Sequence, residues 1–284
     1  MKRGVRVRDV DTARNDGRLR LRLQTSKRSD GGTFSAAMVI DAAGRTSPVA
    51  TRLGVRSTTY DDLVAIARYF GPGTAPEDPR LTVASFPHGW WYAAGLPGDR
   101  LVIVALTDAD LMRELELRER ESWLHHLPPV LVARLGERRP NGSPIIRSAA
   151  SRRLDRVSGV VDGAGWLAVG DAASTFDPLS SQGLCRALRG GIFAAYAAAD
   201  FLSGNGRNDP DQRSRLSLER YSHVIQEEFR GFLGTRSEVY DTERRWPENR
   251  FWQRRAVTPS TTRIPEWPGK SATEMQSDTF QRSP

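Results

Sequence analysis

The residues with the plainest chemical potential are an acid and a loop set between an apolar strand and a long helix. Gly165-Trp166-Leu167-Ala168-Val169 reads as a buried strand, and Gly170-Asp171 ends it. A carboxylate at a strand end can accept hydrogen bonds from the hydroxyls of a polyol. The next residues, Ala172 to Gln182, include Pro178, Ser180 and Ser181, and small residues let a loop backbone lie close to a flat ring. Gly183-Leu184 then open an alanine-rich helix, whose first N–H groups and partial positive charge suit negative charge developing on such a ring. The plainer alternative is that Gly-Asp-Ala-Ala only turns a strand into a core helix.

Three further segments add to this. Val39-Ile40-Asp41-Ala42-Ala43-Gly44-Arg45-Thr46-Ser47 is a second apolar strand ending in an acid, a glycine and a base. By itself it is an ordinary strand-to-loop exit. Pro87-His88-Gly89-Trp90-Trp91-Tyr92 puts three aromatics on a predicted strand, a pattern that most simply makes a packed sheet face. Tyr240-Asp241-Thr242-Glu243-Arg244-Arg245-Trp246-Pro247, followed by Phe251-Trp252-Gln253-Arg254-Arg255, reads as an amphipathic helix docking through its aromatics.

Together these segments resemble the superfamily of group A flavoprotein monooxygenases, flavin-dependent halogenases and geranylgeranyl reductases, over residues 33 to 255. The first run is similar to the superfamily's second FAD motif, G-D-A-A, then P, then G-x-G at a helix start, with Ser181 in place of the first of those last glycines. The resemblance implies that Gly170 and Asp171 meet the ribityl chain of FAD and that Pro178, Ser181, Gln182, Gly183 and Leu184 border the isoalloxazine. Asp41, Gly44 and Arg45 match V-I-D-A-[TS]-G-R-x-S, which lies beside FAD. Trp90, Trp91, Tyr92 and Trp246 are then expected on the substrate side of the flavin. The halogenases have W-x-W-x-I-P where this chain has Gly-Trp-Trp-Tyr, and neither Lys2 nor Lys27 sits in a motif like that of their catalytic lysine. Halogenation, hydroxylation and another oxidation all stay open, and no catalytic base is assigned.

The implied fold is α/β (α+β): an FAD-binding, Rossmann-like unit of the p-hydroxybenzoate-hydroxylase type, with an inserted antiparallel sheet and C-terminal helices. The expected layout is a partial FAD-binding domain at 1–56, a substrate-side sheet with a helix at 57–150, a return to the FAD-binding domain at 151–206, a helical region at 207–256 and a mobile tail at 257–284. Strands are predicted at 5–10, 18–24 and 33–41, with a tight turn at Asn15-Asp16-Gly17 between the first two. Further strands are expected at 144–151 and 165–169, and helices at 108–135, 183–203 and 212–255.

A G-x-G-x-x-G turn between a strand and a helix, which would cradle the FAD pyrophosphate, is not found among the early glycines Gly4, Gly17, Gly31, Gly32 and Gly44. The expectation is an N-terminally truncated member, with a separate chain as one possible source of the nucleotide-binding half. The leading function is oxidation of an aromatic or amino-acid side-chain substrate through reduced FAD and O₂, with electrons from a flavin reductase or NAD(P)H. One alternative is a flavoprotein that modifies a peptide side chain, as in quinone-cofactor maturation. Another, of a different class, is a non-catalytic binding module.

Composition narrows the field. The chain has 284 residues, a formal charge of +8, and 42 basic residues of which only Lys2, Lys27 and Lys270 are lysine. The arginines are scattered, and no nucleic-acid-binding motif accompanies them, so a nucleic-acid partner is not expected. The single Cys185 excludes an intrachain disulfide, and a reducing cytoplasm is the expected compartment. His88, His125, His126 and His223 show no metal-ligand spacing, and no apolar stretch is long enough for a membrane span.

Overall fold

The computed structural model describes residues 4–11, 17–25, 31–73, 78–204 and 212–256. The chain begins with β1 (Val5–Asp11), β2 (Leu19–Thr25), β3 (Thr33–Ala36), β4 (Met38–Asp41) and the short helix α1 (Pro48–Arg52). It continues through β5 (Ser57–Thr59), β6 (Leu63–Phe70), β7 (Thr82–Phe86), β8 (Gly89–Leu96), β9 (Arg100–Asp108) and the helices α2 (Ala109–Glu114), α3 (Arg120–His125) and α4 (Pro129–Leu135). Then come β10 (Ile145–Ser148), β11 (Arg152–Leu154), β12 (Ser158–Val161), β13 (Ala164–Ala168) and β14 (Ser174–Thr175). Three helices close the described chain: α5 (Gly183–Ser203), α6 (Gln212–Asp241) and α7 (Arg250–Ala256).

The predicted strand at 33–41 divides at Ala37 because its two ends serve different sheets. β3 pairs antiparallel with β2, while β4 pairs parallel with β13, Val39 opposite Trp166 and Asp41 opposite Ala168. The turn expected at Asn15-Asp16-Gly17 lies mostly outside the described residues, although β1 and β2 do pair antiparallel. The predicted tail, 257–284, also lies outside them. The helical stretch expected at 108–135 is broken into three. Glu116 takes a left-handed φ of 49°, which ends the α2 segment, and Pro128-Pro129 can begin a helix but not continue one.

The sheet ordered β10-β6-β9-β8-β7 is antiparallel and carries a core on each face. Alternation along the strands makes this possible, since neighbours point to opposite faces. Trp91, Ile103 and Ala105 pack with Trp123, Leu127 and Leu131 of the α2–α4 side. Trp90, Val104 and Leu106 pack with Tyr240, Phe251 and Trp252 of α6 and α7. A third core lies between the β12-β13-β4 sheet and helices α5 and α6, with Trp166 and Phe201 fully buried. Gly165 in β13 is a close-approach glycine: a Cβ there would stand 2.6 Å from Met38 Sδ and 2.7 Å from the Phe201 ring. Along α5, Leu184, Leu188, Ile192 and Tyr196 form an exposed apolar row. Among the described residues no helix is long and apolar enough to cross a membrane, and no His, Cys, Asp or Glu cluster could hold a metal ion.

Candidate flavin site

The parallel pairing of β4 with β13 brings the loops after both strands to one end of that sheet, the position at which open α/β sheets bind ligands. Ser47 ties the two loops together. Its buried hydroxyl donates to Ala172 O at 2.6 Å and accepts from Arg152 Nη2 at 2.7 Å. Arg152 also donates to Arg45 O at 2.8 Å, and Arg45 Nη2 reaches Ala150 O at 2.7 Å and Ser148 Oγ at 3.1 Å. Both guanidinium groups are held below the usual arginine range, first by burial; Asp171 opposes this in each, and Arg45 adds repulsion to Arg152. Gly170 has a φ of +55°, and a Cβ there would meet Ala187 Cβ at 3.3 Å, so this turn lies close on α5.

These loops and the head of α5 enclose a cleft of about 420 Å³. Arg45, Asp171, Pro178, Ser181, Gln182 and Gly183 line it, joined by Ala65, Ser148, Thr175 and Asp177. The Asp171 side chain makes no hydrogen bond or ion pair among the described residues, which leaves both carboxylate oxygens able to accept. Gln182 gives α5 no side-chain cap, because its amide oxygen is taken by Arg186 at 2.9 and 3.2 Å. Among the described residues, the N–H groups of Gly183, Leu184 and Cys185 donate to no other group, whereas Gln182 N donates to Ser180 Oγ at 3.4 Å and Arg186 N to Gln182 O at 2.9 Å. Gly183 lines the cleft, and a Cβ there would meet no atom within 4 Å, so any larger residue would take up open space.

Other residues singled out from the sequence lie elsewhere. Asp41 is buried and does not line the cleft: Oδ1 accepts from Ala43 N at 3.1 Å and Oδ2 from Val49 N at 2.8 Å, so it secures the start of α1. Gly44, Gly170 and Leu184 flank the cleft without lining it, and Leu184 is 75% exposed. The four aromatics do not share one surface. Trp90 and Tyr92 point to the α6–α7 face with ring centroids 6.2 Å apart, whereas Trp91 points to the opposite face and packs edge-on against Trp123 at 4.9 Å. Trp246 stacks on Trp252 and lines a second cleft of about 690 Å³ with Phe86, His125, His126 and Arg245. That cleft is larger, but the free carboxylate and uncapped helix head are both in the first. Sequence reasoning missed Asp177, Arg236 and Asp61, which meet in a buried ionic group beside the cleft.

His126 in the second cleft and its neighbour His88 supply a pH prediction. Burial, then the Arg250 charge opposed by Glu114, holds the His88 imidazole below its ordinary value; burial and the neighbouring His125 and His88 do the same to His126. A depressed histidine favours the unfolded state once the unfolded imidazole protonates. Stability should fall as the pH drops through about 6.5, and His88→Gln with His126→Gln should flatten that fall. Denaturant midpoints measured from pH 8 to pH 5 check this, and an unchanged slope in the double variant would refute it.

No family model matches the chain. LodB of Marinomonas mediterranea, by name an FAD-dependent oxidoreductase, is 29% identical over 227 residues, covering 78% of this chain and 57% of LodB. Tryptophan 2-halogenase of Chondromyces crocatus is 25% identical over 265 residues, covering 88% of this chain and 49% of the halogenase. The crystal structure of CmlS, a flavin-dependent halogenase, superposes with a TM-score of 0.72 at 21% identity, covering 98% of this chain and 48% of CmlS. The chain is related to flavin-dependent halogenases and FAD-dependent oxidoreductases. Its mixed α/β architecture with antiparallel sheets is the flavin-dependent halogenase fold. The chain spans about half the length of the curated relatives it matches.

Proposed function

We propose that the cleft between Asp171 and the head of α5 receives the ring-bearing end of FAD, and that the protein serves as an FAD-dependent oxidoreductase of the monooxygenase or halogenase type. The observation that carries this reading is the convergence of a free carboxylate, a half-buried guanidinium and an uncapped helix start on one cleft. Asp171 would accept hydrogen bonds from the ribityl hydroxyls. Pro178 and Ser181 would lie along the ring. The α5 N–H groups and Arg45 would favour negative charge at the ring edge that faces them.

When bound, FAD supplies the redox chemistry, and the protein holds and orients it and excludes water. An aromatic or amino-acid side chain is the proposed substrate class; Trp90 is buried under α6 and α7 and supports the cleft from within the core rather than facing a substrate. A flavin reductase or NAD(P)H is the proposed electron source. No G-x-G-x-x-G turn occurs in the 284 residues, so the reading concerns the flavin ring and ribityl chain rather than the pyrophosphate. The test is a titration of the purified chain with FAD, followed by flavin fluorescence and the visible spectrum. Saturable quenching is expected, and a folded chain that leaves both signals unchanged would end the proposal.

A further inference from the structure

Beside the cleft, a buried line of polar groups joins elements far apart in the chain. Asp177, 1% exposed, immediately precedes the loop that lines the cleft. Its Oδ1 accepts from Leu179 N at 2.9 Å, which starts the turn Pro178–Ser180. Its Oδ2 accepts from Tyr240 Oη at 2.7 Å and lies 3.3 Å from Arg236 Nε. Tyr240 Oη in turn accepts from Trp90 Nε1 in β8 at 2.9 Å. On the other side, Arg236 Nη2 is 3.0 Å from Asp61 Oδ2, and Asp61 accepts from Leu63 N at 3.1 Å and Ser151 N at 3.2 Å.

We propose that Asp177 and Tyr240 are positioning residues that register the cleft loop, Pro178–Gly183, to the antiparallel sheet through the line Trp90–Tyr240–Asp177. The loop's own bonds are short-range: Ser181 N donates to Pro178 O at 2.9 Å, and Gln182 is held by Arg186 one turn away. Ser181 adopts a left-handed φ of 51°, a conformation that a non-glycine residue keeps only when its surroundings fix it. Asp177 is where this loop meets the buried network. Removing the Tyr240 hydroxyl would strand the indole N–H of Trp90 and leave Asp177 Oδ2 with Arg236 alone, loosening the loop from β8 while leaving the aromatic packing in place. The proposal rests on the flavin reading only for what the loop faces; the tie itself is a property of this chain.

The experiment is hydrogen exchange of the full chain, comparing the wild type with Tyr240→Phe and with Ser217→Ala. Ser217 is a control: it is a buried hydroxyl between α6 and α5, donating to Ala197 O at 3.1 Å away from the cleft. Amides of residues 179–182, each hydrogen-bonded within the loop, should exchange roughly tenfold faster in Tyr240→Phe, the effect expected for a lost buried hydrogen bond. The centre of α5 and the sheet should keep wild-type rates, and Ser217→Ala should leave the loop unchanged. If Tyr240→Phe does not fold, Trp90→Phe removes the same line from its other end and is read in the same way. Wild-type loop exchange in a folded variant, or acceleration equal across the chain, overturns the inference. Because exchange is measured without flavin, failure of wild-type FAD binding would refute the proposed function while leaving this result to stand or fall by itself.

Discussion

Asp171→Ala should lower the affinity for FAD by at least about 100-fold, since a carboxylate accepting from two hydroxyls contributes about 1.5–3 kcal/mol per charge-assisted hydrogen bond. The same substitution should cost the fold little. Asp171 is exposed and its side chain has no hydrogen-bond or ion-pair partner among the described residues. Thermal unfolding should therefore be close to that of the wild type while flavin quenching is lost. Asp171→Asn gives an intermediate case, because one oxygen remains an acceptor without charge. The measurement is a fluorescence titration of the three proteins side by side. If Asp171→Ala binds within about threefold of the wild type, far less than one charge-assisted bond, the carboxylate is not in contact with the ligand.

The largest expected loss of stability comes from an ion pair on the α6–α7 face of the antiparallel sheet. Asp108 ends β9 and pairs with Arg255 of α7 at 2.6 Å, with side chains 2% and 3% exposed. Arg254 joins the same carboxylate at 2.9 Å. Burial alone would depress the Arg255 guanidinium, but its hydrogen bonds to Asp108 and that carboxylate's charge hold it above the usual value. The Arg255 guanidinium also lies 3.6 Å from the centre of the Phe251 ring, so the ion pair and the aromatic core are packed together. Asp108→Ala leaves that cation buried and uncompensated, which costs about 3–5 kcal/mol. Removing both charges with hydrophobic replacements of similar volume should cost much less. Chemical denaturation of the single variant against the double variant, Asp108→Leu with Arg255→Met, separates the two effects. Equal losses would show that the pair acts only by filling space.

What could be read from the sequence followed local chemistry. The helix at Gly183–Ser203 was legible because an alanine-rich run begins after a loop and stops at Gly204-Asn205-Gly206. The strand before Asp171 was legible because it is a short apolar run with a polar end. Six residues of the candidate cleft, Arg45, Asp171, Pro178, Ser181, Gln182 and Gly183, could be named because the resemblance to the flavoprotein superfamily implies them. Other features depended on distant contacts. Nothing local in residues 33–41 marks Ala37 as the point where a strand changes partner. Asp177 meets Arg236 and Tyr240 across 59 and 63 residues, a juxtaposition that only the folded chain creates. The aromatics at 90–92 fall between these cases. Strand alternation alone requires Trp91 to oppose Trp90 and Tyr92, so treating all three as one surface set aside a rule already available in the sequence.

The parallel ladder between β4 and β13 has a kinetic consequence. Its two strands are separated in the chain by the whole antiparallel sheet and by helices α1 to α4. Bringing them together means closing a very long loop, an entropic cost that is met most easily after the intervening segment has become compact. Arg45 and Asp171 stand just past the ends of those two strands, one on each. The cleft thus belongs to the late stage of folding, and a chain whose antiparallel sheet is complete but whose ladder is still open has a hydrophobic core and no binding site.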